Sequence, residues 1–118
     1  MKSYAFAILS IFLISFIIFY NQKVEIIYFF NKGCFISNIT DVIMNEIERD
    51  MGKSVHVIYA DGFSPRSEFE SMLVQKYNIN SVPVIIIDGK IFSGEFTYES
   101  LKTDICKRFV IKPKGCLK

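Results

Sequence analysis

Cys34 stands where an apolar run gives way to a helical pattern, within Phe29-Phe30-Asn31-Lys32-Gly33-Cys34-Phe35-Ile36-Ser37. A thiol in the first turn of a helix feels the positive end of the helix dipole. That field favours the thiolate, the form that attacks disulfides. Exchange then needs a second thiol to release the mixed disulfide. The position three residues on, which would carry it in a two-thiol site, is Ser37. Its hydroxyl can hydrogen-bond a thiolate but cannot displace a disulfide. Two further cysteines, Cys106 and Cys116, fall near the end of the chain. They are read either as a structural disulfide, of the kind found in oxidising compartments, or as late thiols that resolve an adduct on Cys34. A total of three fits one pair plus one reactive thiol.

Other chemistries find little support. His56 is the single histidine; it falls mid-strand and reads as structural. No close cysteine pair seeds a zinc site, so no metal is expected, and no cofactor motif is present. The net charge of +2 says little about partners. Lys102, Lys107, Arg108, Lys112, Lys114 and Lys118 cluster late. They read as a solvated helix end and basic tail, or else as a contact with anionic headgroups close to the N-terminal apolar stretch; without interleaved aromatic residues they do not read as a nucleic-acid surface.

The elements that must position Cys34 are legible as periodicities. Lys23 to Phe30 reads as a buried strand of β-formers. From Ile36 the period changes: Ile36, Ile39, Ile43 and Ile47, with Val42 beside them, predict the inner face of a helix. Asp41, Glu46, Glu48 and Asp50 are assigned to its outer face, and Gly52 to its C-terminal cap. Residues 54–60 predict a second strand. Ser64-Pro65 reads as the start of a second helix, with Phe69, Met72, Leu73 and Tyr77 inward. Val84 to Ile87 predicts a third strand, Asp88-Gly89 a tight hairpin, and residues 90–93 a fourth strand. Thr97 caps a last helix whose apolar positions are Tyr98, Leu101, Ile105 and Phe109. The order β-α-β-α-β-β-α predicts a mixed four-stranded α/β sheet with helices on both faces, its first two strands parallel.

The N-terminus differs in composition. Residues 4–20 contain no charge and are almost wholly apolar. They are near the lower limit for a helix that spans a bilayer, and Ile17-Ile18-Phe19-Tyr20 offers no small-residue cleavage site. Residues 1–22 are therefore expected to form an uncleaved membrane anchor, with residues 23–111 as one domain and 112–118 as a tail. A single-pass anchor with the domain on the extracytoplasmic side is the expected placement; secreted or cytoplasm-facing forms are the alternatives.

This order, with Gly33-Cys34-Phe35-Ile36-Ser37 after the first strand, resembles the thioredoxin-like fold. Tyr77-Asn78-Ile79-Asn80-Ser81-Val82-Pro83-Val84-Ile85-Ile86-Ile87-Asp88-Gly89-Lys90 is similar to the thioredoxin and glutaredoxin segment in which valine-proline precedes the third strand. The resemblance covers about residues 23–109 and implies a three-layer α/β/α domain. It implies a cis peptide before Pro83, facing the cysteine, and a backbone ledge at Val82 for an extended substrate. Gly33 and Phe35 would complete the substrate contact. Three departures stand out. Ser37 replaces the second cysteine, Gly33 replaces the usual tryptophan, and Tyr28 occupies the first-strand position of a buried acid. The function implied is single-thiol disulfide exchange on extracytoplasmic proteins. Cys34 acts as nucleophile and Ser37 as helper, on cysteine-containing clients or small thiols. The alternative is a non-catalytic binding or chaperone module with a degenerate site, in which Cys34 is inert.

Overall fold

The computed structural model describes the backbone of residues 2–20, 23–33 and 35–117, with side chains over 4–15, 23–33 and 35–117. Eight elements follow in chain order: α1 (Lys2–Tyr20), β1 (Val24–Phe30), α2 (Phe35–Met51), β2 (Val55–Asp61), α3 (Glu68–Lys76), β3 (Val84–Ile87), β4 (Lys90–Ile91) and α4 (Tyr98–Lys107). Single 3-10 turns, Gly52–Ser54 and Lys114–Cys116, follow α2 and α4.

The sheet order is β2-β1-β3-β4. β1 and β2 run parallel, with Tyr28 opposite Tyr59. β3 runs antiparallel to both β1 and β4. Strand periodicity divides the core in two. Val24, Ile26, Tyr28, Phe30, Ile85 and Ile87 face α2 and α4, where they meet Met44, Ile47, Leu101 and Ile105. Ile27, Phe29, Ala60 and Ile86 face α3 and meet Leu73. Because β1 is central it is buried on both faces from Ile26 to Phe30, which explains the apolar run there.

Several local readings hold. Gly52 has φ +54 and ends α2. Asp88 and Gly89 both have positive φ, at +48 and +81, as the tight hairpin turn between right-twisted strands demands. Thr97 caps α4, its hydroxyl accepting from Ser100 N at 3.2 Å. Lys112 Nζ donates to Cys106 O at 2.8 Å and so satisfies a carbonyl at the end of that helix.

Others are corrected. The buried face of α2 is Ser37, Thr40, Met44, Ile47 and Met51, while Ile36, Ile39 and Val42 lie exposed. The face is turned by about one residue from the isoleucine stripe because Ser37 and Thr40 are satisfied internally; Thr40 Oγ1 donates to Ile36 O at 2.9 Å. α3 starts later than Ser64-Pro65, with Ser67 as its cap. Asp61 Oδ1 accepts from Phe63 N and Ser64 N, and Glu70 Oε1 accepts from Arg66 N, so residues 62–66 are spent on a loop. Consequently Phe69 and Met72 are about half exposed, and Glu70 and Leu73 point inward instead. β4 stops at Ile91, two residues short of the expected strand.

The transmembrane anchor is also corrected. No helix among the described residues is long and apolar enough to cross a membrane. The α1 side chains over 4–15 lie largely exposed and add nothing to the core. The single-pass extracytoplasmic placement rested on that anchor and falls with it.

Candidate functional site

Cys34 lies outside the described residues, so the site is built from what surrounds it in the chain and across the sheet. β1 ends at Phe30 and α2 begins at Phe35. The link between them is held by side-chain hydrogen bonds. Gly33 N donates to Asn31 Oδ1 at 3.0 Å, and Asn31 N donates to Ser37 Oγ at 3.3 Å. Ser37 is 1% exposed. Its hydroxyl oxygen accepts from the chain before Cys34, which leaves its proton free to be donated elsewhere. Phe35, by contrast, is 76% exposed, and Ile36, Ile39 and Val42 extend an apolar surface along the same helix.

Beneath this turn lies a pair that the sequence reading did not join. Tyr28 is completely buried, and its hydroxyl donates to Asp41 Oδ1 at 2.7 Å and to Ser37 O at 2.9 Å. Burial and then the Asp41 carboxylate hold the phenol far above its usual pKa. It is therefore a fixed neutral donor. Asp41, expected on the outer face of α2, is turned toward Tyr28 by the rotation of that helix. The signal was in the sequence: Asp41 is four residues after Ser37, and so on the same helical face. Beside the pair, Phe30, Asp41, Asn45 and Tyr59 line a cavity of about 170 Å³. Tyr59 donates to Glu48, and burial followed by that carboxylate raises its pKa well above the ordinary value.

Two distant segments reach the same end of the sheet. β3 runs antiparallel to β1, so the Val82-Pro83 link that precedes it lies at the carboxyl end of β1. The Val82–Pro83 peptide bond is cis. Val82 is seated over Gly62: a Cβ on Gly62 would stand 2.4 Å from Val82 Cγ1 and 3.7 Å from Phe29 Cβ. Gly62 N donates to Phe30 O at 2.9 Å, which fixes that loop against the end of β1. Gly33, Phe35 to Ser37, Gly62 and Val82-Pro83 thus gather where the parallel strands end, the usual position for sites in open α/β sheets.

No protein-family profile and no functionally characterised sequence matches the chain. Solved structures do. Thioredoxin-2, described as a component of the malaria parasite protein secretion machinery, is 22% identical with a TM-score of 0.59, over 74% of this chain and 84% of its own. The germline-specific thioredoxin Deadhead of Drosophila melanogaster is 14% identical with a TM-score of 0.57, over 75% and 83%. Human ERp44 is 19% identical with a TM-score of 0.55, over 76% of this chain and 29% of its own.

The chain has a thioredoxin-like fold. On that fold the remaining cysteines take a definite place. Cys106 and Cys116 are joined in a disulfide, so neither is a free thiol. The tail they secure packs on the far end of α2: Gly115 is buried, with room for no side chain, as a Cβ there would come within 2.6 Å of Asp50 O and 2.8 Å of Met51 Sδ. His56 is exposed on β2. Glu25 lies at the opposite end of β1, its N–H donating to Asp88 Oδ1 at 3.0 Å.

Proposed function

We propose that this thioredoxin-like chain carries out thiol–disulfide exchange on cysteine-containing clients through Cys34 alone. The observation that supports this reading best is the gathering of Gly33, Phe35 and Ser37, which flank Cys34 in the chain, with cis Val82-Pro83 at the carboxyl end of β1. The Cys34 thiolate attacks one sulfur of a client disulfide. A mixed disulfide forms, and the client's second sulfur leaves as a thiolate that takes a proton from water. Ser37 offers no sulfur to displace the client, so productive release falls to another thiolate of the client or to a small thiol. Attack by a different client thiolate on the client sulfur returns Cys34 as thiolate and leaves a rearranged client disulfide. Attack by a small thiol on the Cys34 sulfur frees the client as a dithiol, and a second small thiol then displaces the Cys34 thiolate as a small-molecule disulfide forms. The first outcome transfers no net electrons and is isomerisation; in the second the two small thiols supply two electrons and the client is reduced. The Ser37 hydroxyl steadies the Cys34 thiolate, and the Val82 backbone receives the client as an extended strand. Phe35 and Gly33 give it an apolar, uncrowded approach.

A second reading rests on a separate observation. Phe35, Ile36, Ile39 and Val42 form an exposed apolar surface at the start of α2, suited to holding a client without any chemistry. The two readings part on one experiment. Native protein incubated with a disulfide-bonded client is run on non-reducing gels beside Cys34→Ala. Exchange predicts adducts in the native lane that vanish in the variant and on addition of a small thiol. Client retention that is the same in both lanes defeats the exchange reading and leaves the binding module.

A further inference from the structure

The sheet has two edges, built differently. β4 is two residues long and begins with Lys90, a short charged edge that discourages pairing. β2, at the other edge, runs seven residues, Val55-His56-Val57-Ile58-Tyr59-Ala60-Asp61, without lysine, arginine or proline. Gly62 N donates to Phe30 O. In a parallel ladder alternate residues bond to the same neighbour, so the even-numbered residues of β2 turn their peptide groups to β1. Val55, Val57, Tyr59 and Asp61 therefore turn theirs outward. The outward N–H of Asp61 is closed by Glu70 Oε1 at 3.1 Å. Among the described residues no partner meets the outward groups of Val57 and Tyr59. Unpaired main-chain groups along an edge form a template for a further strand.

We propose that β2 pairs antiparallel with β2 of a second copy, about a two-fold axis at Ile58, joining two sheets into one of eight strands. The register argues for a copy of the same chain. Val57 falls opposite the second copy's Tyr59, and each exchanges both N–H···O bonds with the other. The same two-fold repeats the pair, which uses every outward group of those two residues. Side chains follow suit. Val57 with Tyr59 is a β-branched and aromatic pair of the kind that stabilises antiparallel ladders. Ile58 meets itself, His56 meets Ala60, and Val55 meets Asp61, so no like charges stand opposed. The one outward N–H already closed, at Asp61, lies at the end of the register, where its loss matters least.

Cross-linking of the full chain tests this, with Cys34→Ser as background so that the reactive thiol plays no part. In an antiparallel ladder, Ile58 on the axis is a non-hydrogen-bonded pair with its Cα atoms about 4.5 Å apart, within disulfide reach. Mild oxidation of Ile58→Cys is expected to convert most of the protein to a covalent dimer. His56→Cys is the more exposed position, yet the register holds the two copies of residue 56 about 14 Å apart along the strands; it should yield at least tenfold less dimer. Equal yields at the two positions, or no dimer from Ile58→Cys, overturn the proposal. Light scattering gives an independent reading. The native chain should show twice the monomer mass and Ile58→Lys the monomer mass. A monomeric native chain, or a dimer that survives Ile58→Lys, also overturns it.

Discussion

Tyr28 and Glu70 are polar groups in the core, and each is there because its partners are complete. The Tyr28 hydroxyl serves Asp41 and Ser37 O together. Tyr28→Phe keeps the ring and removes both bonds, leaving a carboxylate and a carbonyl without their donor. A loss of about 1–3 kcal/mol is expected, measured as a lower urea midpoint with unchanged slope. Glu70 accepts from Arg66 N, Arg66 Nη2 and Asp61 N. Burial alone would raise its pKa, but these donors outweigh burial and hold it below the ordinary carboxylate range. The group binds its proton more weakly in the fold than in the unfolded chain, so its stabilising contribution is present above the unfolded value of about 4.3. That contribution is lost as the pH falls through the lowered folded value. Denaturation followed from pH 6 to pH 3 should therefore show a shallower decline for Glu70→Gln than for the native chain. Parallel curves would show that Glu70 titrates no differently in the fold.

At the scale of elements, two glycines mark where segments touch too closely for a side chain. Gly62 lies under Val82, whose γ-methyl is on a short, stiff side chain. Gly62→Ala should displace Val82 and slow adduct formation at Cys34 several-fold, while the alkylation rate of Cys34 by a small reagent stays unchanged. Equal slowing of both would place the fault in the thiol rather than in the Val82 ledge. Gly115 marks the contact between the tail and the end of α2. The Cys106–Cys116 disulfide closes a loop of about ten residues. In the chain-entropy account such a loop stabilises by roughly 2–3 kcal/mol. Removing it with Cys106→Ser and Cys116→Ser together should lower the melting temperature and leave Cys34 adducts intact, since the tail sits at the opposite end of α2 from Phe35. Adducts that disappear in the double variant would return these cysteines to a role in the chemistry.

The molecule is an α/β sheet with β1 inside it and β2 as its outer strand, and in the sequence Cys34 falls between β1 and α2. Its local punctuation was legible in the sequence alone. The runs of β-branched and aromatic residues, the Asp88-Gly89 turn, the Thr97 cap and the Gly52 stop depend on near neighbours, and the structure places each as expected. The order of elements, with Cys34 between a strand and a helix and Val82-Pro83 before β3, was legible for the same reason. Contacts between distant segments were not. Which face of α2 turns inward depended on Tyr28 and Asn31 satisfying Ser37, so the isoleucine stripe pointed one residue astray. The start of α3 depended on Glu70 reaching Asp61 across the loop. The Cys106–Cys116 disulfide was one of the readings the sequence offered, and packing chose it; the spacing of Asp41 from Ser37 was legible, but its bond to Tyr28 is a product of packing. Local preferences are written residue by residue; the partner that satisfies a buried polar group is chosen only when remote parts of the chain meet.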